Sequence, residues 1–237
     1  MSLRFRPYPG VTIAAAIAAA ILIGLGVWQL ERLQWKLALI AEVNGHMTAA
    51  PISLDQALKL DADSVQYRKV VVSGRFDNSR EAYVFTTDTQ GKPVYHVLTP
   101  FLTQDGRALL VDRGFVPKDR LDPATRNHVE GQTRLTGVWR VPHAPGAFTP
   151  MPDRARRIWY ARDLQDIAAT DHIRLAAPVV IEADATPNPG GWPKGGQTVI
   201  SFRNEHLSYA ITWFGLAAGL IGVYFAFHIS KGRLGWD

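Results

Sequence analysis

Two long uncharged runs near the ends of the chain, with a series of short β-type segments between them, predict a membrane protein of the α+β class. It has two transmembrane helices flanking a mainly antiparallel β domain, a small barrel or sandwich, outside the cytoplasm. The first run, Val11 to Leu30 (VTIAAAIAAAILIGLGVWQL), holds 20 residues without Asp, Glu, Lys or Arg, and the second, Leu207 to Ile229, holds 23. At a rise of about 1.5 Å per residue each is long enough to cross the hydrocarbon core of a bilayer. A hydrophobic content of 47% in 237 residues fits one sizeable domain plus membrane segments.

Charge orients the spans. Arg4 and Arg6 precede the first run, and Lys231 and Arg233 follow the second. Both short tails, 1–10 and 230–237, are therefore expected in the cytoplasm, with 11–30 and 207–229 spanning and 31–206 on the far side. The first run exceeds the apolar region of a cleavable signal peptide and reads as an uncleaved signal-anchor. No arginine-rich, acid-poor stretch precedes it, so the expected location is a bacterial inner membrane with a periplasmic central domain, or the intermembrane-space side in a mitochondrion.

The elements follow in order. Beyond Leu30, ERLQWKLALIAEVNGHM keeps Leu33, Leu37 and Ile40 at helical spacing, so the first helix is expected to leave the membrane and end at Asn44-Gly45. Pro51 restarts the chain, and Ser53 is placed to cap a short helix near Leu54 to Leu60. From Gln66 the pattern becomes β: QYRKVVVSGRF, EAYVFTT, PVYHVLTPFL and RALLVDRGFVP are β-branched and aromatic runs parted by turns at Gly91 and Gly106. A strand at TRLTGVWRV, a Pro/Gly-rich loop from Pro142 to Pro152, a strand turning into a helix near Asp163, a strand at APVVIEA and a Pro/Gly-rich return complete the domain. Six or seven short strands suit a small open barrel or a sandwich; the pattern does not decide closure. Arg113-Gly114 reads as a structural edge turn.

Composition narrows the chemistry. A net charge of +5 suggests nucleic acid in a soluble protein, but a domain outside the cytoplasm meets lipid headgroups or acidic proteins instead. With no cysteine there is neither a disulfide framework nor a thiolate metal site. Walker, GxGxxG, HExxH and GxSxG motifs are absent, which argues against an enzyme.

Two stripes of residues invite a ligand. His206 shares a helical face with Arg203, Tyr209 and Trp213, at offsets of −3, +3 and +7. A neutral imidazole there is a good haem-iron ligand, an indole farther down the helix offers a flat apolar wall, and an arginine toward water can pair a propionate. The same residue types also populate ordinary membrane interfaces. Trp28, Arg32 and Trp35, at i, i+4 and i+7, straddle the exit of the first span, either as an aromatic belt with a snorkelling arginine or as the opposite wall of the same pocket. His96 reads as a satisfied β-strand residue and His228 as an interfacial one.

Three stretches together carry a family resemblance: GVWQLERLQWKLALI (Gly26 to Ile40), LLVDRGFVP (Leu109 to Pro117) and GGQTVISFRNEHLSYAITWFGL (Gly195 to Leu216). The chain resembles the Surfeit locus 1 protein family, the cytochrome c oxidase assembly factors of bacteria and mitochondria. It departs from many members at Phe115, where they carry tryptophan. The resemblance implies a two-span inner-membrane protein that is not an enzyme, binds heme a as cargo, and assists its insertion into cytochrome c oxidase subunit I. It also implies heme a synthase as a partner beside the lipid bilayer, and leaves homo-oligomerisation open. The family's motif histidine and tryptophan fall on His206 and Trp213, which makes His206 the expected ligand to the heme iron. Readings from other classes are a scaffold that grips subunit I without heme and a membrane-bound redox enzyme.

Overall fold

The computed structural model describes residues 3–88, 90–196, 198, 202 and 204–236. In chain order, strand β1 (Leu3–Phe5) precedes helix α1 (Pro9–Thr48), and β2 (Ile52–Ser53) leads into α2 (Leu54–Ala57) and α3 (Ala62–Val65). Strands β3 (Lys69–Phe76), β4 (Ala82–Thr87), β5 (Pro93–Thr103), β6 (Ala108–Pro117), β7 (Thr133–Arg140) and β8 (Ile158–Trp159) follow. Helix α4 (Leu164–Thr170), strand β9 (Leu175–Ala183), helix α5 (His206–Ser230) and strand β10 (Leu234–Trp236) end the chain. These form two compact units, 43–200 and the pair 1–42 with 201–237.

The unit 43–200 is a closed β-barrel. Its strands run β2-β3-β7-β9-β6-β5-β4-β8, and a further pairing of β3 with β5, Gly74 opposite Thr103, closes a five-stranded ring. Residue period decides what fills it. Leu109 and Val111 point to one side of β6 and Leu110 to the other, and Val179 and Ile181 alternate with Val180 on β9 in the same way. The first set joins Val70, Val72, Phe101 and Trp139 in a core supplied by all five ring strands and covered by Leu54, Ala57 and Val65. The second packs with Leu98, Trp159, Leu164 and Ile167, so α4 covers the outer face. Each such large apolar side chain removed from water contributes about 1.5–3 kcal/mol.

The capping residues act as their sequence suggests. Ser53 Oγ accepts from the Gln56 amide at 3.2 Å while Gln56 Oε1 accepts from the Ser53 amide at 2.9 Å, and Asp163 Oδ1 accepts from the Asp166 amide at 3.0 Å.

The barrel is mainly antiparallel, as the alternation predicts, with β6 and β9 parallel and the short pairs β2–β3 and β4–β8 parallel as well. Other details depart from the sequence reading. The two-residue strands β2 and β8 raise the strand count to eight in this sheet. Helix α1 does not stop at Asn44-Gly45; Val43 is 3% exposed and the His46 ring bonds the Gln66 carbonyl at 2.8 Å. Those tertiary contacts outweigh the roughly 1 kcal/mol that a helical glycine costs.

Arg113-Gly114 is no edge turn. Both residues lie within β6, between β5 and β9, with Arg113 only 1% exposed. Gly114 adopts φ +106°, and a β-carbon there would run into the Lys194 carbonyl, so two requirements converge on glycine.

In the other unit, α1 and α5 are both long and apolar enough to cross a membrane, which makes this a membrane protein of the α+β class. They pack through small residues: Ala210 and Ala217 are buried on α5, and a β-carbon on Gly26 of α1 would meet the Phe214 ring at 2.6 Å. At the other end β1 pairs with β10, and Thr12 and Tyr224 hydroxyls meet at 2.8 Å. His228 lies near the end of α5, with its ring against Phe5 of β1 at 5.7 Å. It is fully buried, donating through Nδ1 to the Tyr224 carbonyl at 2.9 Å and accepting at Nε2 from the Tyr8 amide at 3.2 Å.

Candidate functional site

His206 is the first residue of α5 and is half-buried. Its Nδ1 lies 2.8 Å from Oε1 of Gln29 on α1, a side chain only 9% exposed. An amide oxygen can only accept, so Nδ1 carries a proton in this contact, and in the neutral imidazole Nε2 then keeps its lone pair. That arrangement holds a metal-ligating histidine in one tautomer and orientation. Among the described residues Nε2 has no hydrogen-bond partner. The donor set therefore suits a haem iron, with an oriented neutral imidazole at the head of an apolar helix pair.

Trp213 lies two turns along α5 on the face that carries the buried Ala210 and Ala217, and is itself half-buried. Tyr209 diverges from that face and is 55% exposed. Arg203 lies outside the described residues.

The two tryptophans of the second stripe point away from α5. Gly26 and Gln29 are the residues of α1 turned to α5, whereas Trp28 and Trp35 are 50% and 53% exposed. At 100° per residue Trp28 and Trp35 point about 130–150° away from the middle of the Gly26–Gln29 face, whereas Arg32, three residues beyond Gln29, lies about 60° from that residue, and its guanidinium stacks over the Trp35 ring at 4.6 Å. The i, i+4, i+7 spacing gave their shared face but not its direction, which the packing of α5 sets.

Gln29, the partner of His206, is the side chain of this site that sequence reasoning passed over. Its signal was there: an amide inside a 20-residue apolar run needs a partner, because an unpaired polar group in hydrocarbon is costly.

Two ionic clusters are buried in the barrel unit. His96 Nδ1 contacts both Asp112 oxygens, at 2.8 and 3.0 Å, and Asp112 also accepts from Arg162 at 2.8 Å and from the Gly114 amide at 2.9 Å. Burial alone would raise the Asp112 carboxyl, but His96 and Arg162 outweigh it and hold it below the ordinary carboxylate range. In the second cluster Glu81 receives both Arg113 and Arg126, and Tyr83 donates to it at 2.9 Å. Burial, then the Glu81 charge, push the Tyr83 hydroxyl well above its usual range. Among the described residues no group of three or more His, Cys, Asp and Glu side chains could hold a metal ion.

Comparison with known proteins fits this architecture. The model of the SURF1 family matches residues 16–218, which takes in most of α1, the whole barrel unit and the first half of α5. Surfeit locus protein 1 of Mus musculus is 39% identical over 220 residues, covering 85% of this chain and 70% of that one. The Takifugu rubripes protein of the same name is 36% identical over 228 residues, 88% of this chain and 92% of its own. The Homo sapiens protein is 37% identical over 221 residues, 85% and 72%. A match that runs through both long helices and the barrel between them is a match to the whole architecture, and the chain belongs to the SURF1 family.

Proposed function

We propose that this protein is an assembly factor for a heme-a-type cytochrome c oxidase, carrying heme a on His206 and passing it to subunit I. The observation that carries the reading is the Gln29–His206 bond, which orients the ring and leaves Nε2 without a hydrogen-bond partner among the described residues. Family membership supports the assembly role. Heme a, as cargo, supplies an iron that takes one imidazole and an apolar macrocycle that suits the Trp213 face. A single protein ligand suits a carrier, which must release what it holds, and the protein acts without turnover of a substrate. Its setting in this proposal is a bacterial inner membrane, with spans 11–30 and 207–229, both tails cytoplasmic, the domain 31–206 periplasmic, and heme a synthase as the donor. Homo-oligomers are compatible with it.

The test is the absorption spectrum of protein purified from cells that make heme a. The parent shows a heme a band; His206→Ala loses most of it, Trp213→Ala less and Arg203→Ala least, while His143→Ala, an exposed loop residue, keeps it. A full band in His206→Ala overturns the assignment. One observation favours a second reading, a scaffold that grips subunit I: the outward face of Trp28, Arg32 and Trp35 is free to meet a partner helix. A parent protein purified without heme, yet bound to subunit I, decides for it.

A further inference from the structure

The Glu81 cluster is short of negative charge. Arg113 and Arg126 have side chains 1% and 0% exposed, and they share one carboxylate, Glu81, itself 1% exposed. Arg126 takes the better part of it, with Nη2 at 2.6 Å from Oε2. Arg113 has five N–H groups and three acceptors: Glu81 Oε1 at 3.4 Å, Asn78 Oδ1 at 3.1 Å and Asn188 Oδ1 at 3.1 Å. Its Nε is buried with no hydrogen-bond partner among the described residues, as is Arg126 Nε. The other carboxylate near Arg113, Glu130, is spent at the surface on Asn78 Nδ2, at 3.5 Å. Buried donors left in this state mark a place where a further acceptor belongs.

A cavity of about 280 Å³ adjoins the cluster, and Arg113 forms part of its wall. Arg134, on β7, lines it too and has no ion pair among the described residues, and Thr133, Thr136, Thr186 and Asn188 add hydroxyl and amide groups. One acidic side chain, Asp184, shares the lining; its Oδ1 accepts from the Thr186 amide at 3.0 Å. Phe76 covers one face of the Arg113 guanidinium at 4.7 Å, so a ligand meets that group along its edge. Asn188 occupies this edge with a neutral amide oxygen, a weaker acceptor for a guanidinium than an ionised group.

We propose that the barrel unit binds a small oxyanion, a carboxylate or a phosphate, in this cavity, where it displaces Asn188 Oδ1 from Arg113, takes the free Nε–Nη2 edge in a two-point contact and pairs with Arg134. The fit follows from guanidinium geometry, since parallel N–H groups match two oxygens of one carboxylate or phosphate. The site lies wholly within residues 76–189 and uses none of the residues assigned to heme a.

The experiment is thermal unfolding of the full chain in detergent, titrated with sodium phosphate or sodium succinate against sodium chloride of equal ionic strength. The parent midpoint rises saturably with one or both oxyanions and not with chloride. A response to phosphate alone names a phosphate ligand, and a response to succinate alone a carboxylate. Arg134→Gln, at an exposed position, lowers the apparent affinity at least fivefold, whereas Lys118→Gln leaves it unchanged. Asn188→Asp places a resident carboxylate at Arg113, at the expense of the Nδ2 bond to the Pro193 carbonyl at 2.7 Å, and abolishes the response. A parent that answers neither oxyanion beyond chloride overturns the proposal. So does an unchanged response in both Arg134→Gln and Asn188→Asp, which assigns the effect to the general surface.

Discussion

Replacing Gln29 by leucine isolates the contribution of one hydrogen bond to heme a retention. Leucine is close to glutamine in size and suits the apolar run, so the 9%-exposed position stays filled and only the acceptor 2.8 Å from His206 Nδ1 is lost. As a structural bond it is worth about 0.5–1.5 kcal/mol, toward the lower end between membrane helices, so the helix pair persists. As an orienting partner it matters more, because removing such groups typically weakens metal binding about 10–100-fold. We expect the dissociation constant for heme a to rise about tenfold, roughly 1.4 kcal/mol. Gln29→Glu, which keeps an acceptor, should bind as the parent does or more tightly. The assay is a visible-absorbance titration of the detergent-purified protein with heme a, alongside His206→Ala. Parent-like binding in Gln29→Leu, with binding lost in His206→Ala, would refute the orienting role and leave the histidine to act unaided.

Two further outcomes concern the barrel unit. Gly114→Ala combines a φ of +106° with a collision against the Lys194 carbonyl, and should cost about 2–4 kcal/mol; protease resistance and denaturant midpoint measure it, and parent-like values would mean that the backbone relaxes there. Asp112 titrates lower in the folded chain than in the unfolded one, so the unfolded state binds more protons across the carboxylate range. Its contribution is therefore present above that range and is lost as pH falls. Denaturation midpoints from pH 7 to pH 3 should drop, and Asp112→Asn should flatten part of the slope; an unchanged slope would place the acid sensitivity elsewhere.

Local chemistry determined much of this protein. The lengths of two uncharged runs were enough to identify both long helices, since spanning hydrocarbon requires little more than uninterrupted apolar residues. Ser53 and Asp163 cap helices because their side chains reach amides three residues on, a distance set within the local chain. His206 and Trp213 fall on one face of α5 by helical period alone. Tertiary structure decided the rest. Which way the Trp28 stripe faces depends on where α5 packs, and helical period is blind to rotation about the axis; Gly26 and Gln29 settle it. Barrel closure needs β3 to meet β5 across more than twenty residues of intervening chain, and the parallel pairing of β6 with β9 depends on a long return loop, so neither leaves a mark in residue alternation. Arg113 looked like a turn beside Gly114 because arginine and glycine favour exposed bends. Its burial follows only from Glu81, Asn78 and Asn188, which are distant in sequence and converge on one guanidinium when the barrel forms.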